Sequence, residues 1–556
     1  MTIIGAFTSR TRTWGIGMAL GTLAATAAMT AGASQDWPMF GQNTANTAST
    51  AENAISVANV SQLHVKWSLT TGGDVSARAA VVKGVAYFPD WGPVLNPANP
   101  ALTGTSTLWA VSAGNGKVLW SHQLSDYGLP ANTHSRTSPA VVGGTLYIGT
   151  QEGAYLLAID AASGALLWKT RLEPGDPYAI VTTSPSVYRG VVYTGVASIA
   201  EGGAAYGIFS IPAVRGSAVA VDALTGAIQW KTYTIPPGYS GGGVWGSHPV
   251  VDPARNLVFV STGNNYRHPD AGAESSDPLK TYGQCISDGG TAASCNSPND
   301  HVDSVLALDL STGEVRWSQK LVTWNQPIFI AKDGSDDWNV DCFFAGPSCP
   351  QGDVGPDYDF GSAPNLITYQ TAKGPKTILG AGQKSGIYYA MDPDTGAILW
   401  QTQVGPGSSL GGMEWGSASD GNRIYVQIAN LYGLPYGLFG RPDAGFAGSW
   451  AALDPATGQI LWQTADPNGA VDIGPMTVAN GVVYASSMSG DTTKPTMLAM
   501  NAATGQILWS FAAGSSVNAG ATVVDGVVFW GSGYAHLGIP GYTNNNKFYA
   551  FKTGNN

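Results

Sequence analysis

One eleven-residue unit recurs along this chain and limits what it can fold into. Ala452–Trp462 reads A-L-D-P-A-T-G-Q-I-L-W, and the pattern returns at Ala158–Trp168, Ala220–Trp230, Ala307–Trp317, Ala390–Trp400 and Ala499–Trp509. A weaker copy, Ala110–Trp120, keeps the Gly and the Trp but loses the Asp and the Thr. In each copy a short apolar strand ends at Asp, and T-G or S-G turns the chain tightly. Gly supplies the positive φ, and the Asp side chain can bond turn amides. A second strand then runs to a Trp at a fixed offset from the Gly. A hairpin ending in an aromatic, repeated at a roughly regular period, is what a propeller leaves in sequence.

Seven hairpins are explicit, and the eighth is predicted to be split between the termini. Phe548–Gly554 resembles the first half of the unit, and His64–Leu69 supplies the Trp. The expectation is an all-β, eight-bladed propeller closed by N- and C-terminal strands, which removes exposed sheet edges. Its motif tryptophans are Trp67, Trp120, Trp168, Trp230, Trp317, Trp400, Trp462 and Trp509. A residue present in every blade cannot mark one site, so these are expected to pack blade against blade. The chemistry is sought where the repeat is broken.

Composition agrees with tightly turned, aromatic β-structure: of 556 residues only 11% are charged, while 73 are Gly and 18 are Trp. A net charge of −11 argues against nucleic acid or an anionic membrane as partner. The N-terminus reads as a signal peptide, with Arg10 and Arg12 ahead of an apolar Trp14–Met29 and a small-x-small site at Ala31-Gly32-Ala33. The expected mature chain is one domain, 34–556, exported to the periplasm or beyond, with no membrane span. In that oxidising setting two local disulfides are expected, Cys285 with Cys295 and Cys342 with Cys349. The absence of C-x-x-C-H excludes a covalently held c-type haem on this chain. The segment from Asp36 to Asn59 is expected to pack on the outside of the ring.

Spacing between motif tryptophans is longest around Trp317, where Tyr266–Asp300 and Thr323–Phe360 intervene. Long loops on a rigid scaffold are usually functional. Shorter insertions fall at Ser198–Val214 and Asn430–Gly448, so insertions gather in blades three to six.

Several residues stand outside the repeat. Trp245 follows a Gly run (Gly241-Gly242-Gly243), which would let a flat aromatic face approach something planar; the plain alternative is one more packing Trp. Asn264 ends a strand where an amide oxygen could ligate a hard cation, or simply turn the chain. Glu201 sits in a Gly-rich loop and by itself reads as a solvated acid. Asp336 and Asp337 precede Trp338, where a carboxylate against an aromatic wall could act as a general base, or form a surface turn. Lys384 and Arg136 are scarce cations beside strands, able to hold a carboxylate, Arg bidentately.

Taken together, the repeat resembles the tryptophan-docking motif of pyrroloquinoline-quinone (PQQ) alcohol dehydrogenases. Within that superfamily it is most similar to the polyvinyl alcohol dehydrogenases. The residues carrying the likeness are Gly72-Gly73-Asp74-Val75-Ser76, Tyr87-Phe88-Pro89-Asp90-Trp91, Ser135-Arg136-Thr137-Ser138, Trp245-Gly246-Ser247, Ser261-Thr262-Gly263-Asn264-Asn265-Tyr266, and Asp337-Trp338-Asn339 through Cys342. The resemblance implies PQQ near the ring axis and a Ca²⁺ beside it. Trp245 would be the floor of the quinone, with Arg136, Lys384, Thr183 and Ser184 as its polar contacts. Glu201, Asn264 and Asp336 would ligate calcium, and Asp336 or Asp337 would be the base. It implies an alcohol or a polymer as substrate and a soluble cytochrome c as electron acceptor. One departure is plain: the adjacent-cysteine pair that covers PQQ in methanol-type members has no counterpart here. Two rivals stand beside this reading, a PQQ enzyme for small alcohols or sugars and a non-catalytic scaffold of the same fold.

Overall fold

The computed structural model describes residues 36–93, 104–200, 214–267, 269–321, 357–440, 445–536, 539 and 541–554. Its blades are eight antiparallel sheets. In blade one the strands run outward from the ring centre as Ala80–Val82, Val85–Pro89, Thr107–Ser112 and Val118–Gln123. The first strands of successive blades neighbour one another and so form the inner ring. Blade eight joins Thr522–Val524, Val527–Gly531 and Lys547–Lys552 to His64–Thr70 from the other end of the chain. His64 pairs with Lys552 and Thr70 with Lys547, so the ring closes by the predicted terminal strands.

Each blade buries both faces, because each sheet packs on a sheet at either side. Middle strands are therefore largely apolar rather than alternating; Leu257–Ser261 and Val482–Ser486 are buried at every position. The core is a series of layers between blades. One such layer sets Val258, Val260 and Leu306 of blade four against Tyr193, Ala218 and Trp230 of blade three.

The motif tryptophans lock these layers. Every one of the eight indole N–H groups donates to a backbone carbonyl of the next blade at 2.9–3.2 Å, from Trp67 on Ala113 round to Trp509 on Leu63. In all eight outer hairpins the register slips at the residue before the Trp, a bulge that re-aims the ring toward its neighbour. The turn Gly of the next blade lies against the indole. At Gly116, Gly164, Gly226, Gly313, Gly396, Gly458 and Gly505, φ is 72–76° and a Cβ would fall 2.4–2.9 Å from ring atoms of the preceding Trp. Glycine is needed there twice over, for its conformation and for its missing side chain. Four of the tryptophans are followed two residues later by Thr170, Thr232, Thr402 or Thr464, whose hydroxyl donates to the carbonyl of that same Gly.

The leading segment is where the structure departs from expectation. Residues 36–50 do not pack outside the ring; they run round its inner edge and bond first strands in order. Trp37 exchanges backbone hydrogen bonds with Val81, and Pro38 accepts from Val141. Thr44, Ala45, Thr47 and Ala48 then accept from Val251, Leu366, Ser419 and Val478, reaching six blades in all. An inner strand edge presents unpaired amides and carbonyls that narrow to a space with little room for water, so a strap that pairs them satisfies groups otherwise costly to bury. Arg78 pins the strap. It is fully buried, donates to the carbonyls of Phe40 and Met476 and to the Thr477 hydroxyl, and lies 4.7 Å from the Phe40 ring centre. Burial pulls its pKa down to about 9.

The insertion after Trp245 carries two short helices, Tyr282–Ser287 and Ala292–Cys295, each opened by a Thr capping box. The expected Cys285–Cys295 disulfide joins them; Cys342 and Cys349 lie outside the described residues. A bridge with a sequence separation of 10 constrains only this excursion. Replacing both Cys285 and Cys295 by Ser is expected to speed tryptic cleavage after exposed Lys280, through loss of about 2–3 kcal/mol of local stability, while the melting midpoint of the ring stays within about 2 °C. A larger global drop would show that the insertion belongs to the cooperative unit of the ring.

Candidate active site

In an antiparallel blade the start of the first strand and the end of the second lie at the same end of the ring. Loops from several blades therefore converge there on the axis, and they enclose a cavity of about 380 Å³. Arg136 enters ahead of Ala140–Val142, Trp245 ahead of Val250–Asp252, Asp357 and Asp359 ahead of Asn365–Thr371, and Glu414 and Trp415 ahead of Ala418–Ser419. Lys384 follows Gly374–Gly382, and Tyr534 follows Val527–Gly531. Toward the strap the axis narrows to a space of about 20 Å³ between Arg136, Trp415, Ser184 and Arg78, enough for a single water.

Trp245 is half-buried on the cavity wall. Its indole N–H donates to Asp359 Oδ2 at 2.9 Å, and Trp415 meets it edge-on with centroids 5.4 Å apart. The first contact fixes the ring plane and the second supports its edge. Lys384 Nζ lies 5.0 Å from the Trp245 ring centre. It is held 2.6 Å from Asp359 Oδ1 and 3.0 Å from Asp357 Oδ2, all three side chains being buried. Arg136 is held between aromatic rings: its guanidinium carbon is 3.9 Å from the Trp415 ring centre and 4.8 Å from that of Trp91, and it donates to the Tyr534 hydroxyl at 3.1 Å. No carboxylate of the described residues pairs with Arg136 in an ion pair.

Glu414 is 4% exposed, and burial is the main reason its pKa is raised to about 7; the neighbouring Asp359 pushes the same way, against Lys384 and Arg136. A Cβ at Gly361 would stand 2.8 Å from its Cγ, and one at Gly411 2.9 Å, so two glycines make room for this acid.

The structure brings together Trp245, Lys384 and Arg136. It places Asn264 just behind them: Asn264 is buried, donates to the Asn265 carbonyl at 2.9 Å, and follows Gly263, whose Cβ position would lie 3.0 Å from both Asp359 Oδ2 and Trp245 Nε1. Thr183 and Ser184 do not line the larger cavity. The Thr183 hydroxyl donates to the Val244 carbonyl at 2.7 Å, and Ser184 Oγ accepts from the Ser138 amide at 3.0 Å. Thr182 lines the cavity in their place, donating to the Trp245 carbonyl at 3.1 Å. Glu201, Asp336 and Asp337 lie outside the described residues.

Sequence reading missed Asp357, Asp359, Glu414 and Trp415. One signal was present, since Glu414-Trp415-Gly416-Ser417 repeats the W-G-S of Trp245-Gly246-Ser247.

This cavity suits a flat, anionic group: its lining includes an indole, a lysine and a guanidinium with no ion-pair partner among the described residues. No helix among the described residues is long and apolar enough to cross a membrane.

The comparisons with known proteins agree with the fold and give the family. A family model described as outer membrane protein assembly factor BamB matches residues 4–198, 103–319 and 446–553, its overlapping matches registering the same repeat more than once. A polyvinylalcohol dehydrogenase from Pseudomonas sp is 29% identical over 535 residues, covering 90% of this chain and 73% of that protein. A second, from Sphingopyxis sp. (strain 113P3), is 28% identical, covering 91% of this chain and 73% of that protein. Among solved structures, the quinohemoprotein alcohol dehydrogenase from Comamonas testosteroni superposes with a TM-score of 0.65 at 19% identity, covering 93% of this chain and 80% of that one. The chain belongs to this family of repeat propellers and, within it, to the PQQ-dependent quinoprotein alcohol dehydrogenases.

Proposed function

We propose that the protein is an exported dehydrogenase that oxidises secondary hydroxyls of polyvinyl alcohol, or of related alcohols, to ketones, with PQQ and Ca²⁺ as cofactors and a soluble cytochrome c as electron acceptor. The observation that carries this reading is the meeting of the off-repeat Trp245 with Arg136, Lys384 and Asp359 in one axial cavity. A scaffold that only displayed its outer faces would gain nothing from desolvating these charges.

Bound there, PQQ would supply a two-electron hydride acceptor and Ca²⁺ a Lewis acid. The residues of the chain do the remaining work. Trp245 offers the floor, its tilt set by Asp359 and Trp415. Arg136, held between Trp91 and Trp415, would hold a carboxylate. Lys384, its Nζ 5.0 Å from the Trp245 ring centre, would hold an oxygen of the bound group. Glu201, Asn264 and Asp336 are the proposed calcium ligands. Removing hydride from a carbinol carbon requires its hydroxyl proton to go to a base. We assign that base to Asp359, on the cavity wall beside the floor; Asp336 and Asp337 are the competing candidates.

The reading is tested by adding PQQ and Ca²⁺ to the mature chain and following dye reduction with polyvinyl alcohol, small secondary alcohols and glucose. Absence of cofactor-dependent reduction with all three would end the enzyme reading, and activity on small alcohols alone would move the substrate. Favouring a polymer, Tyr432 and Phe446 are 51% and 70% exposed. The Tyr432 hydroxyl bonds Ser409 of the cavity wall at 2.8 Å, which sets the Tyr432 ring beside the cavity, and Phe446 closes the same insertion, its carbonyl 3.7 Å from a Cβ built at Gly433. Replacing both by Ala is expected to lower kcat/KM for the polymer ~10-fold, the equivalent of one or two apolar contacts, and to leave a small secondary alcohol unchanged. An equal loss on both substrates would show that these rings do not contact a long chain.

A further inference from the structure

We propose that Glu414 is the proton-binding element of the cofactor cavity: it takes up a proton as an anionic ligand enters and thereafter serves that ligand as a neutral hydrogen-bond donor. This rests on the reading of the cavity as a PQQ site.

The geometry begins with the cradle. Glu414 reaches the cavity wall only because Gly361 and Gly411 lack side chains on either side of its Cγ. Its backbone is fixed as well, the Glu414 carbonyl accepting from the Gln427 side chain and Gly361 bridging to it from blade five. Its carboxyl, by contrast, receives no hydrogen bond from any described residue, and the residue lines the cavity.

The charges facing it set the direction of its response. Lys384 favours the ionised form, but Lys384 is already shared between Asp357 and Asp359. Arg136 favours it too, from its clamp between Trp91 and Trp415. Asp359 opposes it, and Tyr534 and Tyr542 stand near enough to be affected by its charge. Burial is the largest influence and raises the Glu414 pKa; set against Lys384 and Arg136 and helped by Asp359, it holds that pKa up at about 7 in the ligand-free cavity. A ligand carrying carboxylates adds like charge beside Glu414 and occupies Arg136, the cation that had favoured ionisation. Both changes raise the affinity of Glu414 for a proton. The balance is E–COO⁻ + H⁺ + ligand giving E–COOH·ligand, with no bond broken elsewhere. A buried acid kept neutral so that it can donate is an established catalytic device.

Linkage makes this measurable. If the bound form holds a proton that the free form holds only in part, affinity falls as pH rises through the free-state pKa, by up to about tenfold per pH unit above it. The experiment uses the full mature chain with Ca²⁺ held constant. PQQ is titrated calorimetrically at pH 7 in two buffers of different ionisation enthalpy, and Kd is followed from pH 6 to 8.5 by quenching of tryptophan fluorescence. The wild type is expected to take up about half a proton at pH 7 and to bind more weakly with rising pH. In E414Q, proton uptake and the pH slope are both expected to vanish, with binding at pH 6 within a few-fold of wild type. E414Q retaining the wild-type uptake and slope would overturn the proposal. Should E414Q fail to fold, the wild type decides alone: proton uptake together with an infrared carbonyl band of a buried carboxylic acid in the loaded protein supports it, and the lack of either overturns it. Failure of the wild type to bind PQQ at any pH would remove the cofactor reading itself, a different outcome.

Discussion

Asp359→Asn is expected to lower kcat by about 10²–10⁴, the usual contribution of a positioned general base, while PQQ affinity changes only a few-fold. The substitution is conservative in shape. An Asn carbonyl can still accept from the Trp245 indole, which Asp359 Oδ2 accepts from at 2.9 Å, so the floor keeps its tilt. Lys384 keeps Asp357 at 3.0 Å, so the buried lysine is not left without an anion. What the variant loses is the ability to accept a proton, together with the 2.6 Å ion pair that Oδ1 makes with Lys384, where an amide N–H would face the ammonium. The loss should therefore appear in kcat with little change in KM, the mark of an interaction made in the transition state. Asp336→Asn and Asp337→Asn provide the comparison. If Asp336→Asn abolishes turnover and Asp359→Asn does not, then the base belongs to the D-x-W stretch, and Asp359 is an anchor for Trp245 and Lys384.

The scaffold was far more legible than the site, for a physical reason. A blade is made by contacts close in sequence, an Asp, a turn Gly and a Trp within eleven residues, and selection for the same packing in each blade writes them repeatedly. Hence the terminal split at His64–Thr70 and Lys547–Lys552 could be read as half-motifs. The strap could not. Thr44, Ala45, Thr47 and Ala48 bond inner strands through backbone carbonyls, which leave no trace in side-chain pattern. Within the site, Trp245, Arg136 and Lys384 were visible as breaks in the repeat. Glu414 was not, since its burial depends on Gly361, fifty-three positions earlier, and on a neighbouring carboxylate, Asp359. Asp357 and Asp359 were overlooked because an adjacent acid-Trp string carried the family likeness.

Gly458→Ala should destabilise the ring by about 2–5 kcal/mol, combining roughly 1–2 kcal/mol for a left-handed alanine with 1–3 kcal/mol for overpacking. At this turn φ is 75° and the new methyl would lie 2.4 Å from Trp400 Cε3. The indole cannot retreat, because its N–H is fixed to the Pro455 carbonyl at 3.2 Å and Thr402 holds the Gly458 carbonyl at 2.7 Å. Gly84→Ala separates the two contributions. Gly84 has the same kind of backbone, φ 77°, with nothing within 4 Å of a new Cβ, so it should cost only the conformational part. The difference between their denaturation midpoints at a single scan rate measures the docking contact. A Trp400→Leu background should erase most of that difference, since the leucine can yield where the indole cannot. Equal midpoints for Gly458→Ala and Gly84→Ala would mean that glycine is retained at these turns for conformation alone. The consequence reaches the chemistry, because the cavity is assembled by loops of blades two to eight. A slip at the junction of blades five and six would part Lys384 from Glu414 and Trp415 before the ring unfolds, so activity in Gly458→Ala is expected to fall at a lower temperature than its melting midpoint.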